Sequence, residues 1–398
     1  MAHWNFFSAG QLVFGRGSAA RVVDWLKRRK LDHVLVISDR MLVEAGITAA
    51  VCEPLAAAGI AYRLFDGGCA EPPVEVAEEA WQVARQYGPQ VIVGIGGGSN
   101  MDLAKTTAVL LTHGGPPHAY FGFDRVPGPV TPVICVATTA GTGSEVSHAA
   151  VLTDTANHVK VSILSNFLRP ALAIVDPALT DSCPARVTAD AGIDALTHAI
   201  EAYTAREYSQ MDIPGAEPVG YDGSYPLTEV LAERAVRLIG QHLRRAVRNG
   251  GDRQARDGMA LAATLAGLAF SNSGVALVHA LEYPLGAAVH CSHGAGNGLL
   301  LPHVMRFNAP TCPDKLARIA QWLEPATFTA EATAEDGIRA VERLCRDVGI
   351  PARLRDLGIR EEQLPELAEK AYLIRRLRKV NPRDATRDDL LNIYKAAY

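Results

Sequence analysis

Over its first 180 or so residues the chain alternates short apolar runs with amphipathic stretches, and after Pro184 that alternation stops. No other feature constrains the fold as strongly. HVLVIS (33–38), AYRLFD (61–66), QVIVGI (90–95), PVICVAT (132–138) and ALAIVDP (171–177) are short enough for strands and bounded by polar or turn-forming residues. Residues 42–55 and 75–87 repeat apolar side chains at helical period. Strands alternating with helices imply βαβ units and a parallel sheet. Beyond Pro184, Ala189–Ala205, Leu227–Asn249, Gly251–Phe270 and Asp314–Leu323 are helical by period, and β-branched runs all but vanish. The expectation is an α/β domain over residues 1–182 and an all-helical domain over 183–398. The stretch 209–226, rich in Pro and Gly, reads as a loop.

Two domains also suit a length of 398 residues. A hydrophobic share of 48%, with 21% charged, is that of a soluble globular protein. The formal net charge of −4 gives no general pull toward nucleic acid or an anionic membrane. No apolar run approaches the roughly 20 residues that span a bilayer, and MAHWNFFSAGQLVFG has no basic segment leading an apolar core, as a signal peptide would. Seven scattered cysteines without a CxxC pair argue against a disulfide framework or a zinc ribbon. A cytoplasmic protein without nucleic-acid or membrane partners is expected.

Three features of the first half point to a dinucleotide. Asp39 closes the 33–38 strand, where a carboxylate can accept from both ribose hydroxyls of an adenosine and repel a 2′-phosphate. An Asp at such a junction can equally cap the following helix. GIGGGSNMDLAK (94–105) follows a strand and opens a helical run, so Gly96, Gly97 and Gly98 let backbone amides and the helix dipole approach a diphosphate. It is not the GxGxxG fingerprint, and a tight turn is the bland reading. A second polar turn, ATTAGTGSEVS (137–147), offers Thr138, Thr139, Thr142 and Ser144 after the next parallel strand. Two such turns place a ligand at the carboxyl ends of a sheet.

The second half carries metal-binding residue types. DAGIDALTHAIEAY sets Asp194 and His198 four residues apart, on one helical face. Such pairs are common as solvated neighbours. Downstream, His279, His290, His293 and His303 crowd into 25 residues of mostly apolar chain. His279 lies in an apolar helical context, and His293 precedes Gly294, where a turn could aim it inward. One carboxylate with two or three imidazoles suits Fe(II) or Zn(II) and not an oxygen-only site. Asp194, His198, His279 and His293 are the candidate ligands.

GGGSNMDLAK, ATTAGTGSEVS, the VDP at 175–177, TADAGIDALTHAIEAY, VHALEYPLGA with CSHGAGNGLLLPHV, and NPR at 381–383 resemble, in this order, the iron-containing (group III, metal-dependent) alcohol dehydrogenase family. The likeness runs from about residue 5 to 395. It implies a dinucleotide-binding N-terminal domain, a helical metal-binding C-terminal domain and a catalytic cleft between them. Matching positions make Asp194, His198, His279 and His293 the metal ligands, with Fe(II) ahead of Zn(II). They make Asp39, Gly96, Gly97, Gly98, Ser99, Asp102, Thr138, Thr139, Thr142 and Lys160 contacts to NAD, Lys160 beside the nicotinamide ribose; its bland alternative is a surface lysine on a strand edge. The activity implied is hydride transfer between a small alcohol, or its aldehyde or ketone, and NAD. Relatives form dimers and larger rings, so a homo-oligomer is expected.

Three departures stand out. Relatives carry a histidine four residues after the third ligand (HALAHPLG), assigned to proton relay; here Glu282 and Tyr283 occupy HALEYPLG. Tyr283 and His290 are the candidate replacements. The 209–226 loop, ending in Tyr221 to Ser224, and the tyrosine at the relay position are similar to the hydroxyacid–oxoacid transhydrogenase branch, which is the alternative reading. Arg375, Arg376, Arg378, Lys379 and Arg383 form a basic run where relatives are mostly neutral. A solvated helix face is the first expectation for it, an anion-binding edge the second. A dehydroquinate-synthase-like lyase, sharing the plan, NAD and a metal, is disfavoured by the DxxxH pair and the ATTAGTGSE turn.

Overall fold

The five apolar runs become strands of one parallel sheet. The computed structural model describes residues 3–155, 159–211, 220–328 and 331–398. Its strands are β1 (Leu12–Phe14), β2 (His33–Asp39), β3 (Ala61–Gly68), β4 (Val91–Gly96), β5 (Gly122–Phe123), β6 (Val133–Ala137), β7 (Ala149–Asp154), β8 (Val159–Leu164) and β9 (Leu172–Val175). The main sheet has the order β1-β9-β6-β4-β2-β3, every pairing parallel. Five helices accompany it: α1 (Arg21–Arg29), α2 (Arg40–Glu44), α3 (Ala49–Ala57), α4 (Val74–Tyr87) and α5 (Gly98–His113).

Side chains alternate across a strand, so Val34 and Val36 of β2 join one core and Leu35 and Ile37 the other. The first core takes Trp25 and Leu26 from α1 and Val51 and Leu55 from α3. The second takes Ala77, Ala80 and Ala84 from α4 and Met101, Leu103 and Ala104 from α5. Burial on both faces is why β2, β4, β6 and β9 read as largely apolar, whereas the edge strand β3 is more exposed and mixes in Arg63 and Asp66.

The structure departs from the sequence expectation at several points, the short edge strand β1 among them. The single helix expected over 42–55 is broken, because Gly46 takes φ 72 and the Ile47 amide bonds back to the Leu42 carbonyl at 3.0 Å, ending α2. A second sheet, β5-β8-β7, was not foreseen. Its strands are half-exposed and mix polar with apolar residues, so they present no continuous apolar run. The contact pattern divides the chain into Phe7–Ser182 and, as the other unit, Met1–Phe6 with Cys183–Tyr398. The first residues therefore belong with the helices: Trp4 stacks on Tyr225 at 4.4 Å, and the Tyr225 hydroxyl donates to the Asn5 carbonyl at 2.6 Å.

The helical unit contains α6 (Ala185–Thr204), α7 (Pro226–Arg248), α8 (Arg253–Ser273), α9 (Leu277–Val289) and α10 (His293–Asn308). It continues with α11 (Pro313–Leu323), α12 (Ala334–Val348), α13 (Leu364–Leu373), α14 (Arg375–Val380) and α15 (Arg387–Ala397). Among the described residues no single helix is long and apolar enough to cross a membrane. The axes of α8 and α9 bend by 105° at a break that holds Gly274, which swings the start of α9 away from the α8 axis.

One buried cation braces the second polar turn. Lys105 of α5 is inaccessible to solvent and donates to the carbonyl (2.7 Å) and hydroxyl (2.9 Å) of Ser144 and to the Ala149 carbonyl (2.8 Å). Its neighbour Asp102 accepts from the Ser144 hydroxyl at 2.5 Å and from the Val151 amide at 3.0 Å. Lys105→Met should destabilise the α/β unit by about 3–5 kcal/mol, because it leaves Asp102 buried without its cation. Thermal melting followed by circular dichroism reads this, and an unchanged midpoint would show that the clamp is dispensable.

Candidate metal centre and dinucleotide turns

Helix α6 carries Asp194, His198 and Glu201 at four- and three-residue steps, hence on one face, and all three are buried. His279 lies in the first turn of α9 and is buried as well. Ligand atoms of Asp194, His198 and His279 all lie within 4.8 Å of one another. His293 joins them, its Nε2 3.8 Å from Asp194 Oδ1 and its ring centroid 5.2 Å from that of His279. It is the first residue of α10, so a helix start, not the turn expected at Gly294, aims it inward. All four sequence-predicted ligands converge.

Carboxylates set the tautomers. Glu201 Oε2 lies 2.6 Å from His279 Nδ1, and Glu282 Oε2 lies 2.6 Å from His293 Nδ1. A carboxylate accepts, so each Nδ1 carries the proton and each Nε2 presents a lone pair to the centre. Glu201 also accepts from the Ala276 amide (2.8 Å) and the Val278 amide (2.7 Å), capping α9. Burial pushes the His198 pKa down to about 4, so that ring is neutral at neutral pH. Burial would raise the Asp194 carboxyl, but His198, His293, His279 and the Asn297 amide outweigh it, and its pKa lies below the ordinary value.

The donor set fits a divalent cation. The Asn297 side-chain nitrogen contacts Asp194 Oδ1 at 2.9 Å, His293 Nε2 at 3.1 Å and His279 Nε2 at 3.3 Å. Its two hydrogens cannot satisfy three acceptors. The buried His198 Nδ1 has no hydrogen-bond partner among the described residues. A buried cluster rich in lone pairs and poor in protons is stabilised by a positive ion.

Sequence reasoning missed Glu201 and Asn297 and noted Glu282 only as a departure, without a role. Each had a weak signal: Glu201 sits three residues after His198, Glu282 three after His279 and Asn297 four after His293.

In the α/β unit, β6, β4 and β2 are adjacent, so the two polar turns and Asp39 lie at neighbouring carboxyl ends. The Thr138 amide donates to the Gly96 carbonyl at 3.0 Å, joining the turns. Gly96 has φ 150, and a Cβ there would come within 2.3 Å of the Asn100 amide, so the turn requires glycine. Gly98 opens α5, with Gly97 at its cap. Asp39 caps α2 through the Leu42 amide (2.9 Å) and accepts from Asn100 (2.7 Å), so the capping reading holds structurally. Ser99 Oγ accepts from the Glu71 amide at 3.2 Å. Asp102 directs both oxygens at residues 144 and 151, inside the fold. Lys160 is no surface lysine: β8 is the middle strand of the second sheet, and its ammonium lies 2.8 Å from Glu71 with only 7% of the side chain exposed.

The departures resolve unevenly. Tyr283 is half-buried, its ring centroid 6.2 Å from that of His293. His290 is exposed at the left-handed end of α9 (φ 51), and the described contacts do not join it to the four ligands. The basic run is not simply solvated: Arg378 lies 3.8 Å over Tyr372, Arg383 lies 4.2 Å over Phe307, and Arg376 lies 5.1 Å over Tyr221. Of the 209–226 loop, residues 212–219 lie outside the described residues. Tyr221 and Asp222 are tied to the end of α8 by amide bonds to the Asn272 carbonyl, 2.7 and 2.8 Å long.

The whole chain is similar to known proteins. Residues 9–177 match the family model of iron-containing alcohol dehydrogenase, and residues 220–398 that of the Fe-containing alcohol dehydrogenase family, C-terminal. Long-chain-alcohol dehydrogenase 1 of Geobacillus thermodenitrificans is 40% identical, the alignment covering 98% of this chain and 97% of that protein. NAD-dependent methanol dehydrogenase of Bacillus methanolicus is 36% identical over 99% of both. A crystal structure of 1,3-propanediol oxidoreductase superimposes with a TM-score of 0.92 at 34% identity, covering both chains entirely.

Glu201→Ala would strand two buried amides and the His279 Nδ1–H, at about 1–3 kcal/mol for each unsatisfied group. The melting midpoint should fall even in protein stripped of metal. An unaltered midpoint in stripped protein would mean that α9 does not need this cap.

Proposed function

Because the chain belongs to the iron-containing alcohol dehydrogenase family, we propose that Asp194, His198, His279 and His293 are the metal ligands of an enzyme interconverting a small alcohol with its aldehyde or ketone. The protein is an NAD-linked, metal-dependent oxidoreductase. The observation that carries the ligand assignment is the convergence of one carboxylate and three imidazoles in a centre short of protons. The dehydrogenase reading is preferred to a transhydrogenase because the relatives above are named as dehydrogenases and an oxidoreductase.

Asp194, His198, His279 and His293 would hold a divalent ion, Fe(II) or Zn(II), which would supply Lewis acidity when bound, and the glycine and threonine turns would hold NAD, which would supply the hydride-accepting and hydride-donating ring. The protein's own residues prepare both. Ionised Asp194 offsets the ion's charge, and neutral His198 keeps a lone pair to donate. Glu201 holds the Nε2 atom of His279 toward the centre. Gly96, Gly97 and Gly98 and the start of α5 present amides to a diphosphate. Asp39 serves an adenosine ribose: each oxygen already accepts one bond, and each keeps a second lone pair. Ser99, Thr138, Thr139 and Thr142 line the same turns, and Lys160, steadied by Glu71, serves the nicotinamide ribose. For Asp102 we assign bracing of the second turn ahead of direct cofactor contact. Tyr283 is the preferred proton-transfer group, since His290 is exposed.

Two further readings are proposed. Seven free cysteines support a reducing, cytoplasmic setting. The outer strand β1, with Leu12 and Phe14 exposed, supports a homodimer or larger homo-oligomer, which sedimentation would measure.

His279→Ala should abolish both bound metal and NADH production while leaving the protein folded. Wild-type turnover by a metal-free variant would eliminate this chemistry. Asp39→Gly should raise the efficiency with NADP relative to NAD, since it removes the carboxylate that repels a 2′-phosphate. An unmoved ratio of the two kcat/KM values would refute the assignment of Asp39.

A further inference from the structure

The four ligands are not equally held. His198 is packed between Phe270 (ring centroids 4.2 Å) and His279 (4.9 Å), and Glu201 fixes His279. His293 is different: 32% of its side chain is exposed, against 3% for Asp194, and it begins a helix. Packing alone therefore constrains its ring least. The strongest constraint on it is Glu282, a wholly buried carboxylate 2.6 Å from Nδ1.

The surroundings are shaped to keep that carboxylate in place. A Cβ at Gly296 would lie 2.9 Å from Glu282 Cγ, so the glycine leaves the room that the glutamate fills. The preceding residue is pinned as well: the buried Tyr394 hydroxyl donates to the Leu281 carbonyl at 2.5 Å, tying α15 to α9. His279 and His293 thus each have a carboxylate behind Nδ1, 2.6 Å away in both cases.

We infer that Glu282 is a positioning residue for His293: it keeps the proton on Nδ1, aims Nε2 at Asp194 and, with Asp194 and Glu201, adds a third carboxylate that tightens the grip on a divalent cation. This rests on the ligand assignment made above. An outer carboxylate on a ligating imidazole raises its basicity, and removing such partners lowers metal affinity by about 10–100-fold.

The test is metal affinity, not turnover. Full-length protein stripped with chelator is titrated with Zn(II) against a chromophoric competitor, and with Co(II) while its visible absorption is recorded. Glu282→Ala should weaken Zn(II) binding by about 10–100-fold and shift the Co(II) spectrum, because His293 is no longer oriented. Glu282→Gln should weaken binding by a smaller factor, since its amide oxygen still accepts from Nδ1–H while the charge is gone. If the alanine variant fails to fold, the glutamine variant decides alone. Variants that bind Zn(II) as tightly as the wild type would overturn the inference, including when their metal-free melting point has dropped. Wild-type protein that itself takes up no ion would overturn the ligand assignment instead, a result distinguishable from failure at Glu282.

Discussion

One carboxylate organises the helical unit. Glu201 on α6 accepts from the Ala276 and Val278 amides and from His279 Nδ1, so a single side chain both caps α9 and orients a proposed metal ligand. A buried helix start exposes amides with no partner inside the helix, and a negative charge is favoured at that end of the dipole. A buried carboxylate, in turn, is tolerable only when several donors surround it. Each problem solves the other. Helix capping and ligand orientation are consequently inseparable here, and the sharp bend between α8 and α9 is what allows the start of α9 to serve as the donor.

The α/β unit shows the same economy of groups. Asp39 is at once the cap of α2 and the partner of Asn100, which itself fills the space beside Gly96. Ser99 holds the Glu71 amide, and Glu71 holds Lys160 across to the second sheet. Lys105 and Asp102 brace the second turn from beneath. The residues proposed to contact the dinucleotide are thus already bonded to one another, which would reduce the ordering cost of binding. A turn of this kind keeps its shape because its polar groups bond to one another, and the sheet beneath supplies the rigid base.

Much of this was legible beforehand. Strand and helix periods located β2, β3, β4, β6, β9 and the helices α4, α6, α7, α8 and α11, since burial on one or both faces leaves its pattern in the order of residues. The i, i+4 spacing placed Asp194 and His198 together, because a single helix sets that geometry locally. The small sheet was missed because half-exposed strands leave no apolar run, and the 42–55 helix was overextended because its period continues through the Gly46 break. The basic run near 375–383 was legible only in part: Arg375 and Lys379 are exposed as charge suggests, yet a guanidinium can lie flat on an aromatic ring and be half-buried, as Arg378 and Arg383 are.

The order of residues alone determined which segments form strands and helices, where their character changes, and which residue types are available to a metal and a dinucleotide. Only the tertiary structure decided which of them meet. Glu201 and His279 are 78 residues apart, and Asn297 and Asp194 are 103 apart. It likewise kept His290, only three positions before His293, exposed at a helix end. Hydrogen bonds act over about 3 Å, so whether two such groups bond depends on how helices pack, and packing is a property of the whole core and not of any one segment's spacing.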